Sequence, residues 1–312
     1  MDDPRDNIVA SISLDKSRVV LNPHIIFLCG GEVDVTQKNN HSVRNMIMNR
    51  TPKYASNNVE FVLAETYKDW KDGYSSLSDF ENDIAYLSSK IVVIPESAGS
   101  LAELGLFFGN EDIRKKMTVI LNTEHHESDS FIKHGILNPL EIKSQDSVLA
   151  YDINYGDIEN VLATEVEEAL HDVIESCDRL DDTATFAIRN RGHVLFLIFQ
   201  LLDLFYALTV TEITKYLKVL DIEYDKKKIK SALYILQKFQ LVVGRKKGNT
   251  YYYFASPSAN NRLELKDKKL SKNFDYSGRK VEVLGFYEYQ AKKDGNYRKR
   301  NSVIKIVREA NQ

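Results

Sequence analysis

The sequence predicts a doubly wound α/β domain followed by a small basic module of helices and a hairpin. Three observations carry that expectation. Apolar runs of strand length recur in the first half, each followed by a helix-like stretch: His24–Leu28, Val59–Leu63, Lys90–Ile94 and Thr118–Leu121, with a weaker one near Ser147–Tyr151. In the second half the period lengthens to that of helices and then shortens again around a basic glycine turn. The charge divides at the same place. Residues 1–180 carry 31 Asp and Glu against 16 Lys and Arg, and residues 181–312 carry 14 against 26.

A chain of 312 residues holds two cores of ordinary size. The charge shift falls in the polar stretch 178–191, so the expected domains are residues 1–180 and 181–312. The start, MDDPRDNIVA, is acidic and polar, unlike a secretory or mitochondrial leader. The longest apolar run, Val194–Val210, is broken by Gln200 and Asp203, which argues for a buried helix over a membrane span. Two cysteines, Cys29 and Cys177, fit a reducing compartment, and a cytosolic protein with no membrane association is expected.

Continuous Ile/Val runs indicate strands buried on both faces, as in a parallel sheet covered by helices. Strand–helix alternation then implies right-handed crossovers and a Rossmann-like, doubly wound sheet. Ligands of such sheets sit at the carboxyl ends of the strands, so the residues just after each run are the candidates.

After the first run comes Cys29-Gly30-Gly31-Glu32, where paired glycines allow either close backbone approach to a ligand or a turn. The fuller dinucleotide fingerprint and the phosphate-loop Lys-Ser/Thr do not follow. After the second run comes Ala64-Glu65-Thr66, and Ser78-Asp79-Phe80-Glu81 opens the next helix. After the third the chain reads Pro95-Glu96-Ser97-Ala98-Gly99-Ser100-Leu101-Ala102-Glu103-Leu104-Gly105, a strand end, a small-residue loop and a helix start.

Two readings of Glu103 compete. It completes a capping box with Ser100 as N-cap, a pattern that Ser78 and Glu81 repeat. Alternatively, it is a carboxylate at the strand-end crevice, able to attack an anomeric carbon through a covalent intermediate.

The Pro95–Gly105 stretch resembles the nucleoside 2-deoxyribosyltransferase family, whose nucleophilic Glu lies in a Gly-Ser/Thr-x-x-E-x-G setting. It resembles more closely the deoxyribosyltransferase-like effectors encoded beside retron reverse transcriptases. The shared features are Phe27–Gly31, Pro95–Gly105, Asn110-Glu111 with Arg114-Lys115, Glu65, Glu81 and a basic C-terminal domain. The resemblance implies a toxin of anti-phage defence that cleaves the N-glycosidic bond of NAD or another nucleotide or nucleoside. In that scheme Glu103 is the nucleophile, while Glu65 or Glu81 orients the sugar or protonates the leaving base. Cys29, Gly30, Gly31, Ser97, Gly99 and Ser100 contact substrate. No cofactor or metal is implied. The implied partners are a reverse transcriptase, its small DNA–RNA hybrid and further copies of the chain in a homo-oligomer. The chain departs from deoxyribosyltransferases at Ser88-Ser89-Lys90, where they commonly carry an Asp. A nucleotide-sensing DNA-binding regulator without catalysis, or a salvage transferase, stays open.

Three further features look chemical. His125-His126 lies among Glu124, Glu127 and Asp129 without a recognisable metal spacing, and reads as a solvated loop. Cys29 reads as a small buried thiol at a strand end. Trp70 and Tyr74 read either as base-stacking residues or as surface packing. The stretch 159–178 has the spacing of an amphipathic helix that closes the first domain.

In the second half, residues 192–207 form one strongly apolar helix, and Thr209 or Thr211 caps a second. A third spans Asp225–Phe239 with Lys226, Lys227, Lys228 and Lys230 at its start. Two strand-like runs then flank Arg245-Lys246-Lys247-Gly248. Helix, helix–turn–helix and basic hairpin in this order look like a winged-helix module that binds nucleic acid through the third helix and the hairpin. Residues 266–272 add positive charge, and 280–289 with 301–307 read as a second β-hairpin about Asp294-Gly295.

Overall fold

The computed structural model describes residues 2–34, 41–54, 58–269 and 274–309. In chain order its helices are α1 (Arg5–Ser11), α2 (Val43–Met48), α3 (Leu77–Leu87), α4 (Ala98–Phe108), α5 (Glu111–Arg114), α6 (Thr123–Glu127), α7 (Asn138–Glu141), α8 (Ala163–Asp178), α9 (Arg191–Phe205), α10 (Val210–Val219), α11 (Lys226–Lys238), α12 (Tyr276–Ala291) and α13 (Gly295–Glu309). The strands are β1 (Arg18–Val20), β2 (His24–Cys29), β3 (Val59–Val62), β4 (Lys90–Val93), β5 (Met117–Asn122), β6 (Val148–Tyr151), β7 (Thr183–Thr185), β8 (Val242–Lys247), β9 (Thr250–Ala255) and β10 (Leu263–Glu264). Among the described residues no helix is long and apolar enough to cross a membrane.

The chain divides into two compact units, one of Leu21–Lys68 with Ser76–Asp182, the other of Met1–Val20, Asp69–Ser75 and Thr183–Gln312. Residues 2–20 and 69–75, which the charge pattern assigns to the first half, thus group with the C-terminal part.

The first unit is built on a parallel five-stranded sheet of order β3-β2-β4-β5-β6. Every residue of β2, β4 and β5 is buried, as the unbroken apolar runs require. Ile26, Leu28, Val92, Ile94 and Ile120 pack with α2 and α8 on one face. Phe27 points the other way and meets Phe107 of α4 edge-on at 5.8 Å between ring centroids. The strand order reverses between β2 and β4, and this is where such sheets open a crevice at their carboxyl ends.

The second unit holds the antiparallel sheet β10-β1-β7, the hairpin β8-β9, and helices α9 to α13. Helix α9 is buried along nearly its whole length, which explains its apolarity. A capping box of Thr209 and Glu212 starts α10, and Asp225 caps α11. Glu212 Oε1 accepts from both Arg5 and Arg300, each at 2.6 Å, tying α1 and α13 to α10.

The C-terminal tail corrects the sequence reading. Residues 280–289 and 301–307 are helical, not a β-hairpin. The alternation there is misleading because Val281 is 69% exposed, while Val283, Phe286 and Tyr287 fall at helical spacing on the buried face. Asp294 accepts the Asn296 N–H at 2.8 Å, so Asp-Gly starts a helix where a β-turn was expected. Of the basic stretch 266–272, residues 270–272 lie outside the described residues.

Candidate active site

The carboxyl ends of β2 and β4 bring Gly30-Gly31 beside Pro95-Glu96-Ser97. The Glu96 carboxylate joins them: Oε1 accepts the Gly31 and Arg44 N–H groups at 2.8 and 3.0 Å, and Oε2 accepts the Val43 N–H at 2.7 Å. An acidic group thus anchors the start of α2 on the glycine loop. The same packing explains the two glycines. A Cβ on Gly30 would lie 2.8 Å from Arg44 Cβ, and one on Gly31 2.7 Å from Ser42 Cβ. Both positions therefore require the smallest residue, independently of any ligand.

A cavity of about 690 Å³ opens beside this loop. Of the residues singled out in the sequence, Gly30, Gly31, Glu65, Ser97, Gly99, Ser100 and Glu103 line it, and Arg44 and Lys68 join them. Cys29 and Glu81 do not line it; both are buried.

The cap of α4 excludes the capping-box reading of Glu103. Ser97 is the N-cap: its Oγ accepts the Ser100 N–H at 3.1 Å, and its own N–H donates to Ser100 Oγ at 3.0 Å. The helix therefore starts three residues earlier than expected, and Glu103 sits in its second turn, not its first. The Ser100–Glu103 capping box does not form, because Ser100 itself fills the position of the reciprocal residue. Nor does Glu81 cap α3, whose N-cap is Ser76.

Freed of that duty, Glu103 faces the cavity with Oε2 buried and without a hydrogen-bond partner among the described residues. Burial pushes its carboxyl up, and the Glu65 charge pushes it the same way; Arg44 and the Cys29 thiol act against them. Glu81 is pushed up to about 7, first by burial and then by the charges of Glu103 and Glu65. Burial holds the Cys29 thiol well above its usual value, so it is no ready thiolate.

Three carboxyl groups thus share one neighbourhood with one guanidinium. Arg44 is buried and spends its donors on Glu65, on the Gly31 carbonyl at 2.7 Å and on the Leu28 carbonyl at 3.4 Å. Sequence reasoning missed Arg44 and the anchoring role of Glu96. The available signal was an arginine inside the apolar stretch Val43–Met48, where an unpaired charge would be costly.

The remaining candidates lie in the second unit or on surfaces. Lys226, Lys228 and Lys230 are exposed on α11, and Lys227 Nζ lies 3.4 Å from Ser75 Oγ. Arg245, Lys246 and Lys247 are exposed along β8, leading to a turn in which Gly248 has φ +61°. His126 pairs with Glu141 at 2.5 Å and lies 2.9 Å from Lys133 Nζ. Trp70 and Tyr74 belong to the segment that packs within the second unit, and Tyr74 is buried there.

Against this geometry, residues 40–244 match the family model described as STM3845 retron effector protein. The chain belongs to that retron effector family. The matched span runs from the segment before α2 to the middle of β8, and so includes the cavity residues from Arg44 to Glu103. Two Escherichia coli relatives of this effector are named "Retron Ec73 putative ribosyltransferase/DNA-binding protein" and its Ec86 counterpart. The first is 33% identical over 168 residues, covering 49% of this chain and 51% of the relative. The second is 33% identical over 131 residues, covering 41% of each. The matched stretches span about half of the first relative's length and less of the second's.

Proposed function

We infer that this retron effector is an N-glycosidase of nucleoside deoxyribosyltransferase-like fold, acting on NAD or another nucleotide or nucleoside. One observation carries the reading: Glu103 stands clear of its helix cap, with a buried unpartnered oxygen beside a strand-end cavity. The names of the two relatives, which pair ribosyl transfer with DNA binding, support it.

A Glu103 oxygen forms a bond to C1′ while the C1′–N bond breaks and its electron pair leaves with the base. Nicotinamide departs neutral; other bases take a proton from solvent in the cavity, because Glu81, although burial holds its proton near neutral pH, does not line it. Water then attacks C1′, the C1′–O bond to Glu103 breaks to restore the carboxylate, and the water's proton passes to solvent. On this reading Glu65, paired with Arg44, accepts from sugar hydroxyls. Gly30, Gly31, Ser97, Gly99 and Ser100 form the remaining wall.

The second unit is, on this reading, a winged-helix module: α9 to α11 and the hairpin β8-β9, with lysines on α11 and a basic β8 for phosphate contacts. The partners would be a retron reverse transcriptase and its DNA–RNA hybrid, the assembly a homo-oligomer and the role anti-phage defence.

The test is incubation of purified chain, alone and with its retron partners, with NAD and with each nucleoside and nucleotide, followed by chromatography for free base. Base release that Glu103→Gln abolishes while ligand binding persists supports the glycosidase. Ligand binding without turnover in any combination would leave a nucleotide sensor.

A further inference from the structure

Helix α11, the candidate recognition helix, does not present all of its polar surface. Its apolar stripe, with Ile229, Ala232, Leu233 and Leu236, is buried in the core of the second unit. The next stripe, Lys227, Ser231, Tyr234 and Lys238, falls at helical spacing and is met by residues 69–75, which bury Ser231 and half-cover Tyr234 and Lys238 while Lys227 stays exposed. Asp69 accepts from Lys238 Nζ at 2.5 Å and from Tyr234 Oη at 3.0 Å. Ser231 Oγ donates to the Gly73 carbonyl at 2.7 Å, and Tyr74 Oη donates to the Ser231 carbonyl at 3.2 Å. Gly73 lies so close to the Tyr234 ring that a Cβ there would come within 2.2 Å of Cγ.

The covering segment is chemically pointed. A carboxylate rests on a lysine and a tyrosine hydroxyl, the two donors that would otherwise meet a backbone phosphate. Its sequence neighbours are equally so. Glu65, Thr66 and Lys68, just before it, line the cavity, and α3 with Glu81 follows just after.

We propose that Asp69–Ser75 is a strap that competes with nucleic acid for the Lys227–Lys238 stripe of α11. Its displacement by nucleic acid loosens the cavity wall at residues 65–68. The proposal rests on the reading of α11 as a nucleic-acid-binding helix. Competition follows because one stripe cannot hold both the Asp69 carboxylate and a phosphate. Affinity is then reduced by the fraction of molecules in which the strap is docked.

The chain's single tryptophan, Trp70, lies inside the strap and reports on it directly. A duplex DNA oligonucleotide is titrated into the full chain while Trp70 emission and binding are followed, for wild type, Asp69→Asn, Gly73→Ala and Asp72→Asn. Asp69→Asn removes the ion pair, and Gly73→Ala pushes the strap off Tyr234 without changing charge. Asp72→Asn changes charge alone. Wild-type emission is expected to shift on binding. Asp69→Asn and Gly73→Ala should show the shifted emission without DNA and bind roughly fivefold to tenfold more tightly, with Asp72→Asn near wild type. Amide hydrogen exchange across residues 65–68 should speed up in Gly73→Ala and in DNA-bound wild type. Binding with unchanged Trp70 emission, or wild-type affinity in both strap variants, overturns the strap. Emission and affinity changes without faster exchange at 65–68 overturn its coupling to the cavity. No DNA binding by any of the four proteins removes the nucleic-acid reading, and with it the competition.

Discussion

Arg44 Nη2 lies 2.5 Å from Glu65 Oε1, yet the two side chains differ sharply in exposure, 3% for the arginine and 57% for the glutamate. The guanidinium is the buried, fixed partner, and the carboxylate is the one that reaches into the cavity. Arg44→Ala should therefore do two things. It strips donors from the Gly31 and Leu28 carbonyls, lowering unfolding stability by about 3 kcal/mol in urea titrations. It also removes the guanidinium paired with Glu65 and acting on Glu103, so base release should drop roughly a hundredfold. Arg44→Lys should restore little, because an ammonium cannot span a carboxylate and two carbonyls at once.

Glu103→Gln should reduce base release by roughly a thousandfold or more, as loss of a nucleophile does. It should not lower the thermal midpoint, since it removes a buried charge that Glu65 repels. A calorimetric scan beside the activity assay separates the two effects; a clear fall in midpoint would mean that Glu103 is structural.

Glu81 supplies a pH dependence with a defined sign. Its carboxyl is raised from 4.5 to about 7 in the folded chain, so the native state keeps a proton that the unfolded state loses first. Stability from this group is complete below about pH 4.5 and declines as pH rises through 7, by about 3 kcal/mol at most. Glu81→Gln should be relatively more stable than wild type at pH 8 and gain nothing at pH 4.5, as urea unfolding at both values would show.

Glu96→Gln tests the loop anchor. The carboxylate accepts three backbone N–H groups, and an amide would turn a donor toward one of them. A loss of about 2 kcal/mol is expected, with weaker ligand binding because Gly31 and α2 lose their common tether.

Neutralising Arg245, Lys246 and Lys247 one at a time should weaken DNA binding and lower the salt slope of log K by about one each for those that meet phosphate. Binding measured across a salt series decides it.

Much of the fold was legible because burial leaves a mark on composition. Strands β2, β4 and β5 are covered on both faces and read as unbroken apolar runs, and α9 is apolar because it is enclosed. The tail misled because Val281 is exposed, so the apparent alternation of 280–289 counted a solvent-facing residue as core.

Local period and simple sums of charge make the sheet strands, the basic second half and the residue types at the strand ends readable from the chain alone. That Glu103 stands clear of the cap, that Arg44 holds Glu65 and that residues 69–75 lie on α11 emerge only on folding. Those are relationships between residues distant in the chain, and a capping box or a loop reads the same in sequence whichever partner finally takes the hydrogen bond.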